Sequence, residues 1–134
     1  MSSRVQRVQS WDHFTYDELK CSHCGEIDMD PRFMSKIEAI RLELGFPMIV
    51  SSAYRCPAHN MNVSLTGANG PHTTGQAIDI RIYGYRAFEL ERVAYLLGMT
   101  GLGRSQKGPQ GRRFIHLDDL DHTPGRPRPW VWSY

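Results

Sequence analysis

Cysteine is scarce in this chain of 134 residues, and its count is odd, at three. A complete disulfide framework within one chain is therefore excluded, and reduced thiols are the simpler expectation. No apolar run approaches the roughly 20 residues of a membrane span, so membrane insertion is not expected. The opening MSSRVQRVQS carries no apolar core of the signal-peptide kind, which predicts synthesis as a cytoplasmic chain. Net charge is also small, +2 at pH 7, too little by itself to predict a nucleic-acid partner. Arg104, Lys107, Arg112, Arg113, Arg126 and Arg128 nevertheless concentrate positive charge in the last third, a mild preference for an anionic partner. No repeat and no Ser/Gly-rich linker interrupts the chain. Residues 1–134 are expected to form one monomeric domain, with 1–12 as a flexible N-terminal extension.

What is present reads as alternating helices and strands. DPRFMSKIEAIRLELG has Asp30 as N-cap, Pro31 at the first helical position, Phe33, Ile37, Ile40 and Leu44 at helical spacing, and Gly45 as its stop. PMIVSSAY reads as a buried strand, and the turn-rich RCPAHNMNVSLTGANGPHTTG as a long, functional loop. QAIDIRIY alternates so that Ile78, Ile80 and Ile82 face a core while Asp79 points to the other side. YRAFELERVAYLLG reads as a second helix burying Leu90, Val93, Ala94 and Leu97. TGLGR and RFIHLD complete an α+β domain with helices packed against a small, mainly antiparallel sheet.

On RFIHLD the pleat sets Phe114, His116 and Asp118 on one face. If this strand pairs with AIDIRI, His116 comes beside Asp79, and the loop bearing His72 can fold over both. Two imidazoles and a carboxylate are the three protein ligands of a catalytic zinc, with one position left for water. The plainer alternative is that His72 caps a turn, Asp79 binds a loop amide and His116 is a satisfied sheet histidine.

SSAYRCPAHN, PHTTGQAIDI and GLGRSQKGPQGRRFIHLDDL resemble, in order and spacing, the zinc D-Ala-D-Ala carboxypeptidase and murein endopeptidase family, especially its small bacterial and phage members. The likeness runs from about Phe14 to the final WVWSY. It implies a hedgehog/DD-peptidase-like fold and a zinc held by His72, Asp79 and His116. It also implies an arginine, Arg55, that meets the substrate carboxylate or the developing oxyanion, with Ser52 contacting the same region. Some relatives carry the base three residues before the last histidine ligand. Here that residue is Arg113, so Asp118 is expected as general base, with Asp119 as fallback. The alternative for Asp118 is to orient a ligand imidazole. The resemblance further implies a peptidase acting on peptidoglycan stem peptides or cross-links, as a carboxypeptidase or an endopeptidase. It also suggests a phage lysis enzyme that reaches the cell wall after holin-dependent release.

Cys21 and Cys24 in CSHCG, with Cys56 and His59 in CPAH, have the spacing of two halves of a structural zinc site. Nothing in the sequence shows that the halves meet, so buried free thiols, or one disulfide and one free thiol, are expected first; His23 could replace His59. Trp130 and Trp132 are expected to pack over the sheet rather than line a cleft. Two readings from other classes stand beside the peptidase. One is a non-catalytic zinc-containing binding domain of hedgehog-like fold. The other is a nucleic-acid-binding zinc domain, which lacks a basic helix.

Overall fold

The structure, a computed structural model, describes residues 11–134. The expected N-terminal extension falls mainly on residues 1–10, outside the described residues. Trp11, assigned to that extension, instead packs against the core.

Local signals explain the helices. Helix α1, Tyr16–Leu19, opens on a capping box in which Thr15 and Glu18 satisfy each other's backbone amides. Helix α2, Pro31–Leu44, starts where the Asp30 carboxylate accepts from the amides of Arg32 and Phe33. It stops at Gly45, which takes the left-handed conformation, φ 72°. Helix α3, Pro57–Val63, lies inside the segment expected to be loop. The proline at its first position and an extended Cys56 before it are sufficient start signals, obscured by the turn formers downstream. Helix α4, Gly84–Leu96, buries Ala87, Leu90, Val93 and Ala94.

Among the described residues, five strands form one sheet: β1 Ile49–Ser52, β2 Ala77–Arg81, β3 Gly101–Ser105, β4 Phe114–Asp118 and β5 Trp130–Ser133. Their spatial order is β1-β2-β4-β3-β5, antiparallel except for the parallel β3/β5 pair. The sequence predicted a buried β1. In the fold it is an edge strand whose residues are half-buried or exposed, because it pairs with β2 alone. Ile78, Ile80, Leu102, Ile115 and Leu117 form a single apolar cluster with Phe33, Ile37, Ile40, Leu90 and Val93, and α2 packs against α4. Covering one face of the sheet with helices leaves the other face to carry polar groups. No helix among the described residues is long and apolar enough to cross a membrane.

Candidate metal centre and cleft

Register builds the centre. Asp79 pairs with His116, and His116 pairs on its other side with Gly103, so the carboxylate and the imidazole stand side by side on the polar face. His72 arrives from a 3-10 turn, Pro71–Thr74, which ends on Gly75 at φ 76°. A β-carbon on Gly75 would run into the carbonyl oxygen of Asp28, so the turn requires glycine for both conformation and space. All three side chains are buried.

The hydrogen bonds set the protons. His72 Nδ1 lies 2.7 Å from the Ala53 carbonyl oxygen, which can only accept; that nitrogen therefore carries the proton, and Nε2 turns its lone pair to Asp79 Oδ1 at 3.2 Å. His116 Nε2 lies 2.7 Å from Asp118 Oδ2, so its proton is placed there, and Nδ1 faces the same Asp79 oxygen at 3.1 Å. Two imidazole lone pairs and an anionic oxygen thus converge, with ligand atoms within 4.8 Å of one another. Neutral rings held this way repel the carboxylate they face, and a cation between them removes the conflict. The donor set, nitrogen, nitrogen and oxygen, suits zinc with an open position. Burial works against the charge of Asp79, but His72 and His116 hold its carboxyl well below the usual carboxylate range. Burial likewise opposes charge on His116, and its hydrogen bonds to Asp118 and Asp79 outweigh that and raise its pKa.

Asp118 and Asp119 are both engaged by neighbouring side chains. Asp118 is fully buried, and its two oxygens receive His116 Nε2 and the Arg128 fork at 2.8 Å. It lies behind His116, across the ring from the nitrogen that faces Asp79. These contacts fit the alternative expected for Asp118, a residue orienting the imidazole, better than a base exposed to the reacting atoms. Burial raises its pKa, but His116 and Arg128 outweigh burial and bring it to about 2. Asp119 points the other way, into Lys36 Nζ at 2.8 Å and Gln76 Nε2 at 3.0 Å.

A cleft of about 870 Å³ opens over the centre. Arg55 reaches it with every part of its guanidinium in use: Nε donates to Ser52 Oγ at 3.0 Å, Nη1 to Asn60 Oδ1 at 3.2 Å, and Nη2 sits 3.6 Å from Asp79 Oδ2. Ser52, expected at the substrate, is not among the residues lining the cleft; it braces Arg55. Asn60, unremarked in the sequence, is fully buried and braces the same arginine, while donating to Thr66 Oγ1 and the Gly67 carbonyl.

The opposite wall is the C-terminal segment. Trp132 packs against the His116 ring at 5.1 Å, lies under the Arg128 guanidinium at 5.2 Å and lines the cleft, so it does both jobs that were posed as alternatives. Tyr134 packs on Phe114 at 5.1 Å. Burial and the nearby Asp79 charge raise its pKa, keeping the phenol a donor. Arg126 lines the cleft with a buried Nε that has no protein partner among the described residues. The signal for this wall was the glycine pair in TGLGR. A β-carbon at Gly101 would meet the Asp118 carboxylate, and one at Gly103 the Trp132 indole, so the two glycines make room on β3.

Elsewhere, the sulfurs of Cys21, Cys24 and Cys56 come within 4.8 Å of one another, and all three are free thiols. His59 is not in that group of three; its Nε2 is 3.3 Å from Ser22 Oγ and its ring stacks on His23 at 5.5 Å.

No curated protein compared with the chain matches it. The family model for Peptidase M15 matches residues 12–118, most of the chain, and the matched span contains His72, Asp79, His116 and Arg55. By that match the chain belongs to the Peptidase M15 family of zinc-dependent metallopeptidases.

Proposed function

We propose that this protein hydrolyses peptide bonds in peptidoglycan stem peptides or cross-links, with one zinc held by His72, Asp79 and His116. The observation that carries this reading is the convergence of His72 Nε2 and His116 Nδ1 on a single oxygen of Asp79, with the proton of each ring committed elsewhere. Zinc bound there supplies Lewis acidity toward water and the scissile carbonyl.

The chain's own residues do the rest. Ala53 and Asp118 fix the tautomers, so both imidazoles keep a lone pair for the metal. Arg55, braced on two sides, presents a preset cation to a substrate carboxylate or to the oxygen on which charge develops. Arg126 adds a buried N–H with no protein partner to the same cleft, which fits a substrate bearing free carboxylates. Tyr134, its pKa raised by burial and the Asp79 charge, keeps a protonated phenol at the cleft. Trp132 covers one side of His116 and limits water.

One observation favours a second reading, a binding domain that keeps zinc without catalysis: Asp79 is the sole carboxylate among the described residues lining the cleft. A single experiment separates the two. Zinc content per chain is measured together with hydrolysis of purified peptidoglycan, products being identified by mass spectrometry beside a chelator control. Chelator-sensitive release of stem-peptide fragments supports the peptidase, and the fragments identify the bond cut. Bound zinc with no cleavage of sacculi or short D-Ala peptides supports the binding domain.

A further inference from the structure

The three thiols lie in a part of the molecule that the proposed hydrolysis does not use. Cys21 and Cys24 flank a tight turn: the Gly25 amide donates to the Cys21 carbonyl at 2.8 Å, the Cys21 amide donates to the Glu26 carbonyl at 2.7 Å, and Gly25 adopts φ 75°. Only a residue at ease in the left-handed region closes such a turn. It brings the second sulfur back beside the first. Tyr16, on α1, pins the turn by donating its hydroxyl to the Gly25 carbonyl.

Cys56 comes from a distant segment. It precedes α3 and makes no side-chain capping bond, so its sulfur is not committed to the helix end. Its backbone amide instead donates to Cys21 Sγ at 3.4 Å, a bond that strengthens as the sulfur gains negative charge. The Tyr54 amide donates to the Leu19 carbonyl at 3.2 Å and holds the two segments in register.

Neither ordinary use of cysteine accounts for this. Burial as a small apolar residue fits Cys21, but Cys24 is exposed and Cys56 half-buried. Pairing in a disulfide leaves one of three clustered sulfurs without a partner. A tetrahedral zinc with Zn–S bonds of about 2.3 Å places its sulfurs just under ~4 Å apart, compatible with three sulfurs that all lie within 4.8 Å of one another.

We infer that Cys21, Cys24 and Cys56 bind a second, structural zinc as thiolates. The ion cross-links the turn at 21–24 to the start of α3. It thereby fastens Arg55, the neighbour of Cys56, whose amide donates to the His72 carbonyl at 3.1 Å and whose guanidinium is braced by Asn60 on α3. The thiolate zinc is thus expected to stabilise the wall of the cleft without touching substrate.

The test uses the full chain, purified reduced and loaded with cobalt(II) or zinc(II). The inference predicts two metals per chain and a near-ultraviolet thiolate-to-cobalt charge-transfer band. It also predicts protection of all three thiols from Ellman's reagent in the zinc form, lost on chelation. His72→Ala should drop the ratio to one and keep the band. Cys24→Ser, at an exposed position that the fold tolerates, should drop the ratio to one and remove it. A wild-type ratio of one with no charge-transfer band, or thiols that react as fast with zinc as without it, overturns the inference. The charge-transfer band and the thiol protection require neither hydrolysis nor a metal at His72, so they stand or fall separately from the peptidase reading, on which the ratio of two rests.

Discussion

His116 donates its Nε2 proton to Asp118 across 2.7 Å, on the opposite side of the ring from Asp79. In the neutral ring the bond makes the other nitrogen the acceptor. A carboxylate in this position raises the basicity of a metal ligand and fixes its orientation; it does not meet the reacting atoms.

Asp118→Asn is therefore expected to weaken zinc binding by roughly 10–100-fold while turnover recovers when excess zinc fills the site. Zinc titration against a competing chelator, with kcat measured at full occupancy, checks this. Lost kcat at full occupancy would restore Asp118 as the base.

Arg55 makes two directional hydrogen bonds, to Ser52 and Asn60, beside its ion pair with Asp79, and a point charge cannot reproduce the two bonds. Arg55→Lys is expected to lower kcat/KM by about 10²–10³-fold, close to the effect of Arg55→Ala, with zinc content unchanged. Steady-state kinetics on a stem-peptide substrate with metal analysis decide it. A lysine variant near wild type would reduce the residue to a general positive charge.

A β-carbon at Gly103 has no room beside the Trp132 indole. Gly103→Ala should push β5 off β3, cost about 1–3 kcal/mol and loosen the cleft wall. The readouts are thermal unfolding and Trp fluorescence. An unchanged melting temperature would mean that the indole moves aside freely.

Zinc competes with a proton for His116. Its pKa in the metal-free protein is raised, burial opposing the charge but Asp79 and Asp118 favouring it, so protonation sets in above the pH at which an ordinary imidazole would charge. Zinc affinity should then fall as pH drops, and fall already above about pH 6.5. Asp118→Asn removes part of the upward shift and should move the onset to lower pH. Affinity measured by chelator competition across neutral pH tests both statements, and an affinity flat through that range would contradict them.

The parts of the fold legible from sequence were those governed by neighbours along the chain. Asp30, Pro31 and Gly45 mark both ends of α2 because capping is settled within a turn of helix. Alternation in AIDIRI and FIHLD put Asp79, His116 and Asp118 on polar faces because the pleat has a period of two. Helix α3 was hidden because its seven residues are too few to show a periodic face. The last strand was hidden because RPRPWVWSY pairs in parallel with β3, a partner that nothing local specifies.

The candidate ligands His72, Asp79 and His116 could thus be named from residue type and spacing, but the direction of each proton could not. That direction depends on what lies behind each ring, the Ala53 carbonyl for His72 and Asp118 for His116, and on the register that sets Asp79 opposite His116. The choice between base and orienting residue for Asp118 turns on the same directions. Sharing a strand face with His116 is a sequence property, whereas which ring nitrogen it meets, and its capture by Arg128 ten residues on, are tertiary ones. Composition and periodicity determined the class of fold and the inventory of donors, since both follow from local sterics and burial. Only the folded chain decided which donors share a centre, because hydrogen bonds are directional and their partners lie far apart in sequence.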